Sequence, residues 1–132
     1  MAEALEKTKL IAIVEDDVKL ARMFCDTLGF FGPWRFQVFQ DGKVAKDELP
    51  SLGADLILLD LELPNLDGAS LYKILRGHSD TKNTPIVMIT GSHDWELHRM
   101  GLRTGILLRK PFAIEELLSI IRALLPPEKE SS

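Results

Sequence analysis

Apolar residues fall along this chain in short dense runs, and the runs alternate between two kinds of spacing. Residues 10–14 (LIAIV) are wholly apolar, and Glu15-Asp16-Asp17 then interrupts them. Leu20, Met23, Phe24, Thr27 and Leu28 recur at helical spacing, until Gly29 and Gly32-Pro33, which are expected to break the helix. Residues 34–39 alternate between large apolar and polar, as a strand with one wetter face would. Asp41-Gly42 opens a short helix that Pro50 is expected to end. Residues 56–59 form a second fully apolar run, residues 64–68 a loop, and residues 69–75 a helix. PIVMIT (85–90) predicts a strand, residues 95–100 a short helix, and residues 106–108 a short strand. Ile114, Leu117, Leu118, Ile121 and Leu125 then fall three and four apart, a helix with one apolar stripe.

The order is strand then helix, five times over. Strands that are apolar throughout belong in a sheet covered on both faces, which means a parallel sheet. Right-handed crossovers place helices on both sides of it. The expected fold is therefore α/β and doubly wound, with a five-stranded parallel sheet in the flavodoxin-like order 2-1-3-4-5. In such sheets ligands sit beyond the carboxyl ends of the strands, where strand order reverses. That point lies between strands 1 and 3.

The 132 residues suit one domain, and 45% hydrophobic content is enough for one core. Net charge is −4, and no basic block points to nucleic acid. No apolar cluster approaches the ~20 residues a membrane span needs. MAEALEKTK mixes acids and bases and lacks the apolar centre of a signal peptide. Cys25 is alone, so no disulfide forms within the chain. A cytoplasmic protein is the expectation, with a domain over residues 8–125 and a tail or linker start over 126–132.

Charge at the strand ends changes the picture. Strand 1 ends in Glu15-Asp16-Asp17, strand 3 in Asp60, strand 4 in Thr90-Gly91 and strand 5 in Arg109-Lys110. The fold would gather them in one crevice. Carboxylates from neighbouring strands repel unless something positive lies between them. Mg²⁺ suits one or two carboxylates, several waters and a phosphate. Lys110 adds a fixed positive charge and Thr90 a hydroxyl donor. Together these groups describe a site for a phosphoryl group. Taken singly, each has a plainer role: Asp60 or Asp17 as a helix cap, Thr90 as a strand end, Lys110 as a solvated lysine. His93 and His98 are five apart and read as solvated surface. Glu115-Glu116 complements the dipole of the last helix.

IAIVEDD, DLILLDLELPNLDG, PIVMITG and RKPF, in this order and each at a strand end, resemble a bacterial two-component response-regulator receiver domain. The likeness covers about residues 8 to 125 and implies the CheY-like form of the fold. It implies that Asp60 accepts a phosphoryl group from a sensor histidine kinase or a histidine phosphotransfer protein. It implies Mg²⁺ held by the side chains of Asp16 and Asp60 and the backbone carbonyl of Glu62, with Glu15 acting through metal-bound water. Thr90 and Lys110 would contact the phosphoryl oxygens, and the Thr90 hydroxyl would then move the loop after strand 4. Glu62 and Ser92 occupy the two positions that set acyl-phosphate lifetime in the family; the sign for Glu62 stays open. Such a domain is a signalling phosphoacceptor with self-phosphorylation and autodephosphorylation chemistry, not a turnover enzyme.

Three positions depart from the family pattern. Leu107 stands where receivers usually carry Tyr or Phe, three residues before the lysine. The Thr90–Lys110 segment is about two residues short of the family's usual length. Ala113 stands where the last helix often has a polar cap. The first two fall on the face that commonly dimerises, so a homodimer stays open, as does the output, a separate protein or a missing domain. A degenerate receiver that docks a partner unphosphorylated is the alternative. A haloacid-dehalogenase-type phosphatase fits less well, because it wants Asp two residues after the nucleophile and then Thr or Val, where Glu62 and Leu63 stand.

Overall fold

Ile57, Leu58 and Leu59 carry no polar side-chain atom, and all three are buried on strand β3 (Leu56–Asp60). A strand apolar on both faces needs cover on both. The computed structural model, which describes residues 8–102 and 105–127, provides it. Strands β1 (Leu10–Val14), β2 (Arg35–Phe39), β4 (Ile86–Thr90) and β5 (Ile106–Arg109) complete a five-stranded parallel sheet in the order β2-β1-β3-β4-β5. Ala12 lies beside Ile57 and Val14 beside Leu59, and on the other side of β3 Asp60 lies beside Ile89. The doubly wound fold expected from periodicity is the one observed.

Side chains alternate across the sheet and divide the core into two layers. Ala12, Val14, Ile57, Leu59 and Met88 face helices α2 (Gly42–Leu52), α3 (Gly68–Gly77) and α4 (Asp94–Arg99) through Ala45, Leu49, Leu71, Leu75 and Leu97. Ile11, Ile13, Leu56, Leu58, Val87 and Ile89 face α1 (Val18–Phe31) and α5 (Ile114–Leu124) through Phe24, Leu28, Leu117 and Ile121. Each Val, Leu, Ile, Met or Phe side chain among these contributes ~1.5–3 kcal/mol on burial. Phe24 stacks on Phe112 with ring centroids 6.0 Å apart, which ties the segment after Lys110 to the second layer. Cys25 is half-buried, and burial together with the Asp26 charge raises its thiol pKa, so it is not an activated nucleophile.

Two helix ends differ from the pattern reading. Pro50 lies inside α2, which runs on to Leu52 and stops at Gly53 in the left-handed region, φ 72°. Pro50 removes one N–H from the ladder. Leu49 is buried and Leu52 packs against the same layer, and this packing carries the helix past the proline. Gly29 also lies within α1; that helix ends at Gly32, whose N–H donates to the Leu28 carbonyl. Here too the buried Leu28 outweighs local propensity. Ala113 gives α5 no side-chain cap, but the Glu116 carboxylate reaches back to the Ala113 N–H at 3.4 Å. Of the expected tail, Pro126 and Pro127 are described and 128–132 lie outside the described residues. No helix among the described residues is long and apolar enough to cross a membrane.

Candidate active site

Each strand end delivers its polar residue one step beyond a buried run. β1 carries Glu15 into the crevice with 2% of its surface exposed, and its N–H still pairs with the Phe39 carbonyl of β2 at 2.9 Å. Asp17 is the N-cap of α1: its carboxylate accepts from the N–H groups of Lys19 and Leu20 at 3.0 and 3.2 Å. Asp17 is thereby committed to the helix, and the exposed Asp16 stays with Glu15 at the crevice. β3 ends in Asp60, 4% exposed. The helix after Asp60 is capped by Asp67, which accepts from the Ser70 N–H at 2.8 Å, so Asp60 is not a cap. Gly68 makes the approach possible: a Cβ there would lie 2.4 Å from the Leu61 Cα and 2.5 Å from the Asp60 carbonyl oxygen.

Glu15, Asp16 and Asp60 can place one carboxylate oxygen each within 4.8 Å of one another. Burial, then the hydrogen bond and negative charge of Asp60, push the Glu15 carboxyl up from 4.5 to about 8. Burial also works against ionised Asp60. Hydrogen bonds from protonated Glu15 and from the Glu62 N–H, at 2.9 Å, together with the Lys110 charge, outweigh it and hold Asp60 below the usual carboxylate range. Lys110 Nζ stands 3.4 Å from both Asp60 oxygens. Three convergent carboxylates, two of them buried, with a proton retained on one, are a donor set of hard oxygens short of positive charge. That chemistry fits Mg²⁺.

Thr90, fully buried, closes the other side of the crevice. The ends of β4 and β5 are joined by the Lys110 N–H bonding to the Thr90 carbonyl at 2.8 Å. Arg109 donates to the Ser92 carbonyl at 2.8 Å and braces the loop after β4. Ser92 donates its N–H to the Thr90 hydroxyl oxygen at 2.9 Å. The Thr90 hydroxyl in turn donates to the Glu62 carboxylate at 2.8 Å. The crevice thus brings together Glu15, Asp16, Asp60, Glu62, Thr90, Ser92 and Lys110. Leu107 sits apart, beside Met88 on β4, partly buried in the layer that also holds Tyr72. Pattern reasoning did not find the Glu62 side-chain contacts, the Arg109 brace or the close approach at Gly68. The spacing Asp-x-Glu and the dipeptide Asp67-Gly68 were the available signals. A cavity of about 470 Å³ between Phe31, Trp34 and Leu125 shares no residue with this site.

Residues 11–122 match the family model described as the response regulator receiver domain. The response regulator ArlR of Staphylococcus epidermidis is 38% identical over 124 residues, covering 91% of this chain and 55% of that protein. The response regulator MprA of Mycolicibacterium vanbaalenii is 36% identical over 117 residues, covering 87% of this chain and 49% of that protein. The chain spans about half the length of these curated relatives. Among solved structures, the Vibrio cholerae chemotaxis protein CheY4 superposes with a TM-score of 0.78 at 27% identity, covering 89% of this chain and 98% of that one. The receiver domain of the Pseudomonas aeruginosa sensor histidine kinase PA1611, with a magnesium ion coordinated in its active site cleft, gives 0.76 at 27% identity over 89% and 98%.

Proposed function

The chain belongs to the response-regulator receiver family of two-component signalling, and from that premise we propose that Asp60 is its phosphoacceptor. The observation that carries the reading is the placement of Asp60: last residue of β3, buried, and 3.4 Å from the Lys110 ammonium through both oxygens. A carboxylate so held is a nucleophile aimed out of the sheet. One Asp60 oxygen attacks the phosphorus of a phosphohistidine on a sensor kinase or phosphotransfer protein. The phosphorus–nitrogen bond breaks, the imidazole keeps the electron pair and takes up a proton from water, and Asp60 becomes an acyl phosphate. The transferring group is loose and charge-rich, so positioning and neutralisation do most of the catalysis.

Asp16 and Asp60, with the Glu62 carbonyl and with Glu15 acting through water, would hold Mg²⁺. When bound, the ion neutralises oxygens of the transferring group. Lys110 supplies the second positive charge, and its contact with Asp60 orients the nucleophile. The Thr90 hydroxyl is the donor for a phosphoryl oxygen. Its movement, with Ser92 and the loop after β4, biases two loop arrangements in the manner of a population shift. Leu107, beside Met88 on the neighbouring strand, replaces the expected aromatic at the switch position, so either a leucine rotamer change takes over its role or the output does not use this face in the family's usual way. The readout is a cytoplasmic partner protein, a further domain of a longer chain, or a homodimer through this face.

Incubation with Mg²⁺ and acetyl phosphate tests the reading by intact mass. A gain of about 80 Da is expected, lost in Asp60→Asn and without Mg²⁺. No gain in the unaltered protein would leave the docking-only alternative, and a gain that survives Asp60→Asn would place the acceptor elsewhere.

A further inference from the structure

Three hydrogen bonds and one ion pair around the crevice converge on one side-chain carboxylate other than that of Asp60. Glu62 Oε1 accepts from the Thr90 hydroxyl at 2.8 Å, from the Gly91 N–H at 3.1 Å and from the Ser92 hydroxyl at 3.4 Å. Its second oxygen lies 3.8 Å from Lys110 Nζ. A hydroxyl, a backbone amide and an ammonium converging on one anionic group are the donors that a phosphoryl group on Asp60 would need. Glu62 can reach them because its backbone is pinned just after β3, with its N–H bonded to Asp60 Oδ1 at 2.9 Å. Its side chain is 46% exposed, so no packing forces it into this place; the donors draw it there.

We infer that the Glu62 carboxylate occupies the seat of the phosphoryl oxygens in the unmodified protein and must leave it when Asp60 is loaded. The inference rests on the phosphoacceptor reading and gives the sign that sequence left open: Glu62 opposes loading. An incoming anion has to displace a carboxylate that already holds the Thr90 hydroxyl, the Gly91 amide and part of the Lys110 charge. The same contact holds the Thr90 hydroxyl on the Glu62 carboxylate before any phosphoryl group arrives. Glu62 therefore stands in for the modification it excludes. Glutamate has the length to bridge from the loop after β3 to the loop after β4; aspartate is one methylene too short to keep all four partners.

Two measurements on Glu62→Ala and Glu62→Asp test this. The first is binding of beryllofluoride, a phosphoryl mimic, to the Mg²⁺-loaded protein. Removing the internal competitor is expected to tighten it about tenfold, the effect of one charge-assisted hydrogen bond no longer displaced. Glu62→Asp is expected to fall between alanine and the unaltered protein. The second is the Gly91 amide resonance and the Thr90 χ1 coupling in the metal-free, unphosphorylated protein. In Glu62→Ala the Gly91 amide is expected to move upfield, and Thr90 to average between rotamers. An affinity within twofold of the unaltered protein, or weaker, overturns the inference, as does an unmoved Gly91 amide. A protein that takes no phosphoryl group at Asp60 at all would sink the acceptor reading alone. The resonances of the metal-free protein would still decide where Glu62 sits.

Discussion

Glu15 is the group whose titration most directly reports the site. Buried beside Asp60, its carboxyl is pushed from 4.5 to about 8, so at neutral pH it carries a proton that a bound cation would oppose. Cation binding then releases that proton. About one Glu15 in ten is ionised at pH 7 and one in a hundred at pH 6, so apparent Mg²⁺ affinity is expected to fall ~tenfold per pH unit below 8 and to level off above it. Between pH 8.5 and 6.5 the drop is ~25-fold. Calorimetric titration in two buffers of different ionisation enthalpy reads both the affinity and the protons released, expected to be close to one per ion at pH 7. Glu15→Gln removes the titrating group and should flatten the profile while leaving Asp60 ionised. Stability without metal follows the same linkage. The folded protein holds this proton between pH 4.5 and 8 and the unfolded chain does not, so metal-free stability falls as pH rises through that window, by ~1.4 kcal/mol per unit. Asp60, shifted downward, acts in the other window: its contribution is present above its ordinary value and is lost as pH falls through its lowered one. A flat affinity between pH 6 and 8, or a slope that survives Glu15→Gln, would refute the proton-sharing argument.

Two further substitutions test how the frame holds the site. Gly68→Ala sets a methyl 2.4 Å from the Leu61 Cα, so the backbone at Asp60 and Leu61 must shift; a loss of ~1–3 kcal/mol in urea unfolding and slower Asp60 phosphorylation by intact mass are expected, and unchanged values for both would remove the close approach as a cause. Phe24→Ala empties a fully buried position that stacks on Phe112; a loss of ~3–5 kcal/mol is expected from denaturant midpoints, and a cost under ~1 kcal/mol would mean that this layer collapses around the gap.

The sheet was legible because its strands are apolar on both faces, a pattern that parallel strands covered by helices require. The strand-end residues were legible for a related reason. Topology alone brings residues 15, 16, 60, 90 and 110 to one edge once the strand order is fixed. Helix ends were less so, since Pro50 and Gly29 signal breaks that buried Leu49 and Leu28 override. The Glu62 contacts lay beyond periodicity. A loop side chain takes its direction from donors 28 to 30 residues away, and no local spacing encodes that. Gly68 was read only as the end of a loop, because its partners are backbone atoms of another segment. Asp17 and Asp67 were distinguishable from Asp16 and Asp60 only by their place at a helix start, which the pattern locates to within a residue or so.

The crevice is also where this fold gives up stability. Glu15 and Asp60 are buried side by side, which the apolar layers above and below the sheet must offset, and removing either carboxylate without its neighbour leaves an unmatched polar group. Three things relieve the same repulsion: a proton on Glu15, the Lys110 charge and a divalent cation. Only the last can be supplied or withdrawn without changing the chain or the pH. A ligand that binds only the folded protein adds ~2.7 kcal/mol at a hundred times its dissociation constant. The thermal midpoint should therefore rise with Mg²⁺ and rise more at pH 8.5 than at pH 6.5, since the proton already does part of the work at the lower pH. Lys110→Ala should enlarge the Mg²⁺ increment by leaving more negative charge uncompensated. Glu15→Gln should shrink it and remove its dependence on pH. These opposite responses from two residues in one crevice separate charge compensation from a general effect of salt on the fold, which would treat both variants alike.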